Sequence, residues 1–215
     1  MTTFGRRVLL AGIAIGLAGP TTARTASAVP DPAPAEHHWP LTRGVLALRV
    51  IDRCGPLWHD AVRAAADIWN DACPLVRFVV EEGELDGPRA APGVIVIRSP
   101  NLDAGWNGIT ERTTSPNGTL RSVTITLDDA NYTDRYPWPQ TNARGSVVGH
   151  ELGHALGLTH SPAGSGGWMA VDRLERGDPL GPGEWTLKQA EITYAATPTI
   201  AAKGKRTPKK RRKRH

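Results

Sequence analysis

The chain has 215 residues, with 26 Lys and Arg against 21 Asp and Glu and a formal net charge of +5. That is one domain's worth of chain. Beyond a short N-terminal run, no stretch approaches the roughly 20 apolar residues a spanning helix needs, so the mature protein is expected to be soluble and without a membrane span. The charge is unevenly placed. Three arginines lie before residue 29 and nine Lys and Arg after residue 202, which leaves 14 basic against 21 acidic side chains between, a net of −7.

Arg6 and Arg7 precede an apolar run from Val8 to Ala18, broken by Gly19 and Pro20 and followed by Ala26-Ser27-Ala28. A basic head, a short apolar middle and a small-x-small site predict a signal peptide over 1–28, cleaved after Ala28, and hence secretion. The Arg-Arg pair leaves the twin-arginine route open. Residues 29–43 are proline-rich and read as a linker or short pro-segment, with His37 and His38 solvated. The main domain is expected over 44–202.

Val45 to Asp52 is apolar and β-branched and predicts a strand. In PLWHDAVRAAADIWNDA, Trp58, Val62, Ala65, Trp69 and Ala72 recur on one face and Pro56 suits a first turn. The stretch is therefore an amphipathic helix packed on a sheet, with His59 on its surface. Leu75 to Glu81 and Gly93 to Ser99 are further strands, joined by a loop over 82–92. Asn117-Gly118 signals a type I′ turn in a hairpin with arms Trp106 to Thr113 and Leu120 to Asp128, and Pro116 leaves the loop length open. ARGSVVGHELGHALG predicts the next helix, with Thr141 or Asn142 as N-cap. GEWTLKQAEITYAA predicts a closing helix, with Thr186 or Glu184 near its start. The order predicts an α+β fold, a mixed sheet covered by helices. Cys54 and Cys73 are the two cysteines. Export favours pairing them, while the helix of about 20 Å between them opposes it, and the sequence leaves both readings standing.

The segment HELGHALGLTH, residues 150–160, concentrates the chemistry. His150 and His154 are four apart and so share a helix face, from which two imidazoles can reach one zinc ion at about 2.0–2.1 Å. Gly157 takes the left-handed conformation at little cost and can end the helix. That turn would bring His160 back as a third ligand, whereas a continued helix would carry it about 600° past His154. Three protein ligands leave a fourth position open, the mark of a catalytic site. Glu151 beside the first ligand is the candidate general base for a metal-activated water.

H-E-x-x-H-x-x-G-x-x-H resembles the metzincin signature. That family also has a methionine in a tight turn below the metal, and GSGGWMAVD supplies Met169. Ser161 directly after His160 is similar to the matrixin subgroup. The resemblance implies a twisted mixed sheet with a zinc-binding active-site helix and a closing helix. It also implies a catalytic domain over 44–202 acting as a secreted zinc endopeptidase on peptide or protein substrates. In that family an extended peptide adds as a strand to the sheet edge next to the metal. By position the edge here is Trp106 to Thr110, with Trp106, Gly108 and Ile109 as substrate-binding candidates. Gly105 and Gly108 would allow close backbone approach, or else are loop glycines, and Val171 to Leu174 would form the pocket wall. Asp103, Asp128 and Asp129 are candidates for a structural Ca2+ as in matrixins, or else solvated turn acids. Val171 stands where astacin-like and serralysin-like members carry a tyrosine, so no tyrosine ligand is implied. DRCG, residues 52–55, partly resembles the matrixin blocking motif but sits at the end of the first strand.

The tail KGKRTPKKRRKRH, residues 203–215, repels itself and reads as disordered. It would bind an anionic polymer through counterion release, or serve solubility. Two rival functions therefore stand beside the endopeptidase: a non-catalytic zinc-binding protein, and a polymer binder acting through its tail.

Overall fold

In a computed structural model the described residues are 29–41, 44–83, 91–101, 106–132, 140–171 and 181–195. The leader, the basic tail, Asp103, Gly105 and residues 172–174 lie outside them.

Strand β1 (Leu46–Arg53) sends Leu46, Leu48 and Val50 to one face, all buried, as the two-residue period of a strand requires. Helix α1 (Pro56–Ala72) follows and buries Trp58, Ala61, Val62, Ala65, Ala66 and Trp69 along one stripe. Pro56 stands in its first turn, where the missing N–H costs nothing. A helix between β1 and β2 (Val76–Glu82) makes their parallel pairing possible, because parallel strands need a long crossover. Strand β3 (Val94–Arg98) pairs parallel to β1, and β5 (Leu120–Leu127) parallel to β3. Strand β4 (Gly108–Thr114) runs antiparallel to β5. The five strands form one mixed sheet in the order β2-β1-β3-β5-β4. The fold is α+β, with β4 on an outer edge.

Helices α1, α2 (Gln140–Ala155) and α3 (Glu184–Ala195) complete the core. Ile95, Ile97, Val123, Ile125 and Leu127 meet Val148, Leu152, Leu156 and Tyr194 in one apolar cluster. The indole of Trp69 on α1 donates to the carbonyl of Gly149 on α2 at 2.8 Å, which satisfies its N–H inside that cluster. No helix among the described residues is long and apolar enough to cross a membrane.

Four expectations change. The hairpin does not close on a two-residue type I′ turn. The Gly118 amide donates to the Ser115 carbonyl at 3.0 Å and Gly118 itself has φ +80°. That is a four-residue turn over 115–118 ending in a left-handed glycine, with Pro116 at the second position, where its fixed negative φ excludes type I′. Helix α2 begins at Gln140, so the candidate caps Thr141 and Asn142 fall inside it. His59, expected on the surface of α1, is half-buried there, and its Nδ1 lies 2.7 Å from Oδ2 of the buried Asp52.

The fourth change is the largest. The proline-rich stretch read as a linker is packed on the domain over its described residues 29–41. Ala35, Trp39 and Leu41 are buried. The Trp39 indole donates to the Ala155 carbonyl at 2.7 Å, and the Leu120 amide to the His38 carbonyl at 2.8 Å. Trp185 donates to the Pro30 carbonyl, Lys188 pairs with Asp31, and the Ala35 amide donates to Thr193 Oγ1. This strap joins α2, α3 and the hairpin tip. Proline keeps the segment extended, and the two large apolar side chains supply the burial that holds it in place.

Both cysteines are buried free thiols at opposite ends of α1. Burial raises the pKa of each, most strongly that of Cys54, where Asp52 adds to the effect.

Candidate metal centre

Helix α2 carries His150, Glu151 and His154 in its last turns and then stops. The Leu158 amide donates to the Gly153 carbonyl at 3.1 Å, and the Gly157 amide to the His154 carbonyl at 2.9 Å. This pair of bonds is a Schellman motif, and it needs the left-handed residue that Gly157 supplies at φ +88°. The strap enforces the same choice, since the His37 carbonyl oxygen occupies the space a Cβ on Gly157 would need. Past the turn, Thr159 is held from α3: its amide donates to Gln189 Oε1 at 3.1 Å, and Gln189 Nε2 donates to Thr159 Oγ1 at 2.9 Å. The Ser161 amide donates to the Met169 carbonyl at 2.8 Å. His160 therefore sits between two anchored neighbours.

The three imidazoles converge. His154 Nε2 lies 3.2 Å from His160 Nε2, and His160 Nε2 lies 3.2 Å from His150 Nε2. The opposite nitrogens are taken: His150 Nδ1 lies 2.7 Å from the Trp168 carbonyl and His154 Nδ1 lies 2.9 Å from the Leu158 carbonyl. A carbonyl oxygen can only accept, so both Nδ1 atoms carry protons and both Nε2 atoms of the neutral rings present lone pairs. Lone pairs aimed at one point repel unless a cation lies between them. A tetrahedral ion with bonds of about 2.0–2.1 Å sets its ligand nitrogens about 3.3–3.4 Å apart, close to the observed spacing. The donor set and geometry thus fit a zinc-sized ion. Among the described residues this is the grouping of His, Cys, Asp and Glu side chains able to share a metal. His150 is buried, His154 half-buried and His160 exposed, so the cluster opens to solvent on one side.

Met169 is fully buried, in a tight turn closed by the Ala170 amide on the Gly167 carbonyl at 3.2 Å. Its sulfur fills the space a Cβ on Gly153 would take, directly behind the helix turn between the two histidines. The preceding Trp168 does the same at Gly149 while its carbonyl holds His150. Two small residues on α2 thus seat two large ones on the turn.

Glu151 is buried and faces the sheet edge. Its carboxylate accepts a hydrogen bond of 2.6 Å from Thr110 Oγ1 on β4. A Cβ on Gly108 would stand 2.9 Å from Glu151 Cγ and 3.0 Å from Oε1, so the absent side chain there makes room for the carboxylate. Of the substrate-edge candidates, Gly108 and Ile109 lie in β4, with Ile109 exposed, while Trp106 precedes the strand. Val171 is exposed.

Calcium finds no support among the described residues. The Asp128 carboxylate accepts from the Ala130 amide and that of Asp129 from the Trp58 indole. These acids serve local structure and are not gathered round a common point.

Thr110, Gln189 and the Trp168 carbonyl had no signature in the sequence. Gln189 is a polar residue within α3 that is almost fully buried, and that burial becomes visible with the structure. The Trp168 contact is made by backbone and leaves no trace in residue type.

Among solved structures, the chain is similar to archaemetzincin from Methanopyrus kandleri, at 13% sequence identity and a TM-score of 0.47, over 72% of this chain and 99% of that one. No family model and no curated protein matches the chain.

Proposed function

We propose that this chain is a secreted zinc-dependent endopeptidase of metzincin type, with His150, His154 and His160 as metal ligands and Glu151 as general base. One observation carries the reading: three imidazole nitrogens meet at zinc spacing, two of them held as lone pairs by carbonyls on the opposite nitrogen, beside a buried carboxylate that faces an edge strand. Zinc bound there would supply a Lewis acid and an acidified water. The Trp168 and Leu158 carbonyls hold two of the imidazoles in the tautomer a metal requires. Glu151 takes the proton of the attacking water and delivers it to the leaving amine. The open edge of β4 pairs with an extended peptide, which aligns the scissile bond along the strand. Met169 and Trp168 exclude water from the back of the helix, since both are buried.

The test is metal analysis of the mature protein together with a peptide-library digest, with and without a chelator. The proposal expects one zinc per chain and internal cleavages that stop on chelation and resume with added zinc. Zinc-loaded protein that cuts nothing would instead support a non-catalytic metal-binding role. Cutting that survives chelation would remove the metal from the reaction.

A further inference from the structure

We infer that Thr110 is a positioning residue for Glu151, setting the carboxylate at the sheet edge where a peptide would pair. The inference rests on the endopeptidase reading and deepens it.

Successive residues of a strand face opposite ways, so Gly108 and Thr110 share the face of β4 turned towards α2. Both are half-buried, while Ile109 and Glu111 on the other face are exposed. Gly108 gives space: a Cβ there would crowd Glu151 at 2.9–3.0 Å and Val147 Cγ1 at 3.1 Å. Thr110 gives a donor. Its hydroxyl lies 2.6 Å from Glu151 Oε2 and 3.2 Å from the Glu151 carbonyl oxygen. A hydroxyl has one proton, and the shorter contact takes it. The length matches a charge-assisted O–H···O⁻ bond, which typically spans about 2.5–2.7 Å. Glutamate has three side-chain torsions, which its backbone position does not set. Here a glycine and a threonine two residues apart on one strand fix it from both sides.

The consequence is kinetic. The Thr110 side chain points to α2, whereas an added peptide strand pairs with backbone groups in the plane of the sheet. Loss of the hydroxyl therefore leaves substrate binding alone and misplaces the base. A displacement of about 1 Å at a reacting group can cost about a hundredfold, and a hydrogen bond to a charged group is worth about tenfold to a hundredfold.

The experiment compares wild type, Thr110→Val and Thr110→Ser, all zinc-loaded, on one peptide taken from the library digest. Zinc affinity is measured by competition with a chromophoric chelator, and crystal structures of the three proteins are solved. The expected result for Thr110→Val is a fall in kcat of about tenfold to a hundredfold, with KM and zinc affinity unchanged and the Glu151 carboxylate displaced. Thr110→Ser, which keeps the hydroxyl, should restore kcat. A kcat for Thr110→Val equal to wild type, or Thr110→Ser as slow as Thr110→Val, overturns the role. If wild type cuts no peptide, the endopeptidase reading fails by itself, and the structures then judge Thr110: a carboxylate unmoved in Thr110→Val overturns the positioning, and a displaced one upholds it.

Discussion

The His37 carbonyl oxygen fills the space beside the α-carbon of Gly157, so the strap at the N-terminal end of the domain rests on the turn that aims the third imidazole. Gly157→Ala would meet two penalties there. The residue has φ +88°, and a side chain at such a backbone angle costs about 1–3 kcal/mol. Its methyl would also push on backbone, which cannot rotate away as a side chain can. We expect a loss of about 3 kcal/mol or more in stability, at about 2–4 °C in Tm per kcal/mol for a domain of this size. Zinc affinity should fall with it, because His160 follows the turn by three residues. Thermal melting and chelator competition on the same sample measure both. Normal zinc affinity in a destabilised variant would uncouple the turn from the site.

Glu151→Gln preserves the shape of the side chain and its ability to accept from Thr110, and removes the proposed base. Zinc content should remain at the wild-type level, while kcat falls by about a hundredfold to ten-thousandfold, the usual share of a general base. Stopped assays with metal quantified on the same preparation check this. An undiminished rate would strip Glu151 of its role.

How much of this was open to a reader of the sequence depends on range. The histidine spacing and the amphipathic pattern of 56–72 are local, set by the 3.6-residue period, and α1 begins and ends at the residues the pattern marks. The strand core was legible because its apolar, β-branched runs are equally local. The strap was not, because proline content describes the path of a backbone and says nothing of where Trp39 and Leu41 find cover. In the hairpin, Pro116 left the loop length open in the sequence, and the turn type was settled by the Gly118 amide reaching the Ser115 carbonyl. Thr110 acts on a glutamate 41 residues away, and no pattern within one strand reports that distance.

The two thiols give a chemical prediction. Burial holds both above their ordinary value of 9.0, and burial likewise holds Tyr194 above 10.0. Native protein should therefore resist alkylation at pH 8 and take up two equivalents on unfolding. Its mass should be the same with and without reductant. The sign of the pH effect follows. Well below pH 9 each group is neutral folded and unfolded, and none favours either state. Above it the unfolded chain sheds protons that the native fold retains, so stability falls as pH rises. Melting between pH 8 and 11 should show a steady decline, and a flat profile would contradict the buried placement of these groups.

Gly145 and Gly149 lie one turn apart on α2, and alanine at each should act with opposite sign. Nothing lies within 4 Å of a Cβ on Gly145, so Gly145→Ala gains the helix propensity that glycine lacks, about 0.5–1 kcal/mol. A Cβ on Gly149 would run into the Trp168 indole, which is buried and also packs against Trp69 at 6.3 Å between ring centroids. That ring cannot retreat without moving its own backbone, and the Trp168 carbonyl is what holds His150 Nδ1. Gly149→Ala should therefore lower stability by about 2 kcal/mol or more and weaken zinc binding by about tenfold to a hundredfold, the usual effect of disturbing a ligand's outer partner. The paired comparison separates a general helix effect from one routed through Trp168, because Gly145→Ala should leave zinc affinity unchanged. If Gly149→Ala binds zinc as wild type does, the Trp168 carbonyl is not what orients the first imidazole, and the ring must be held by the helix alone.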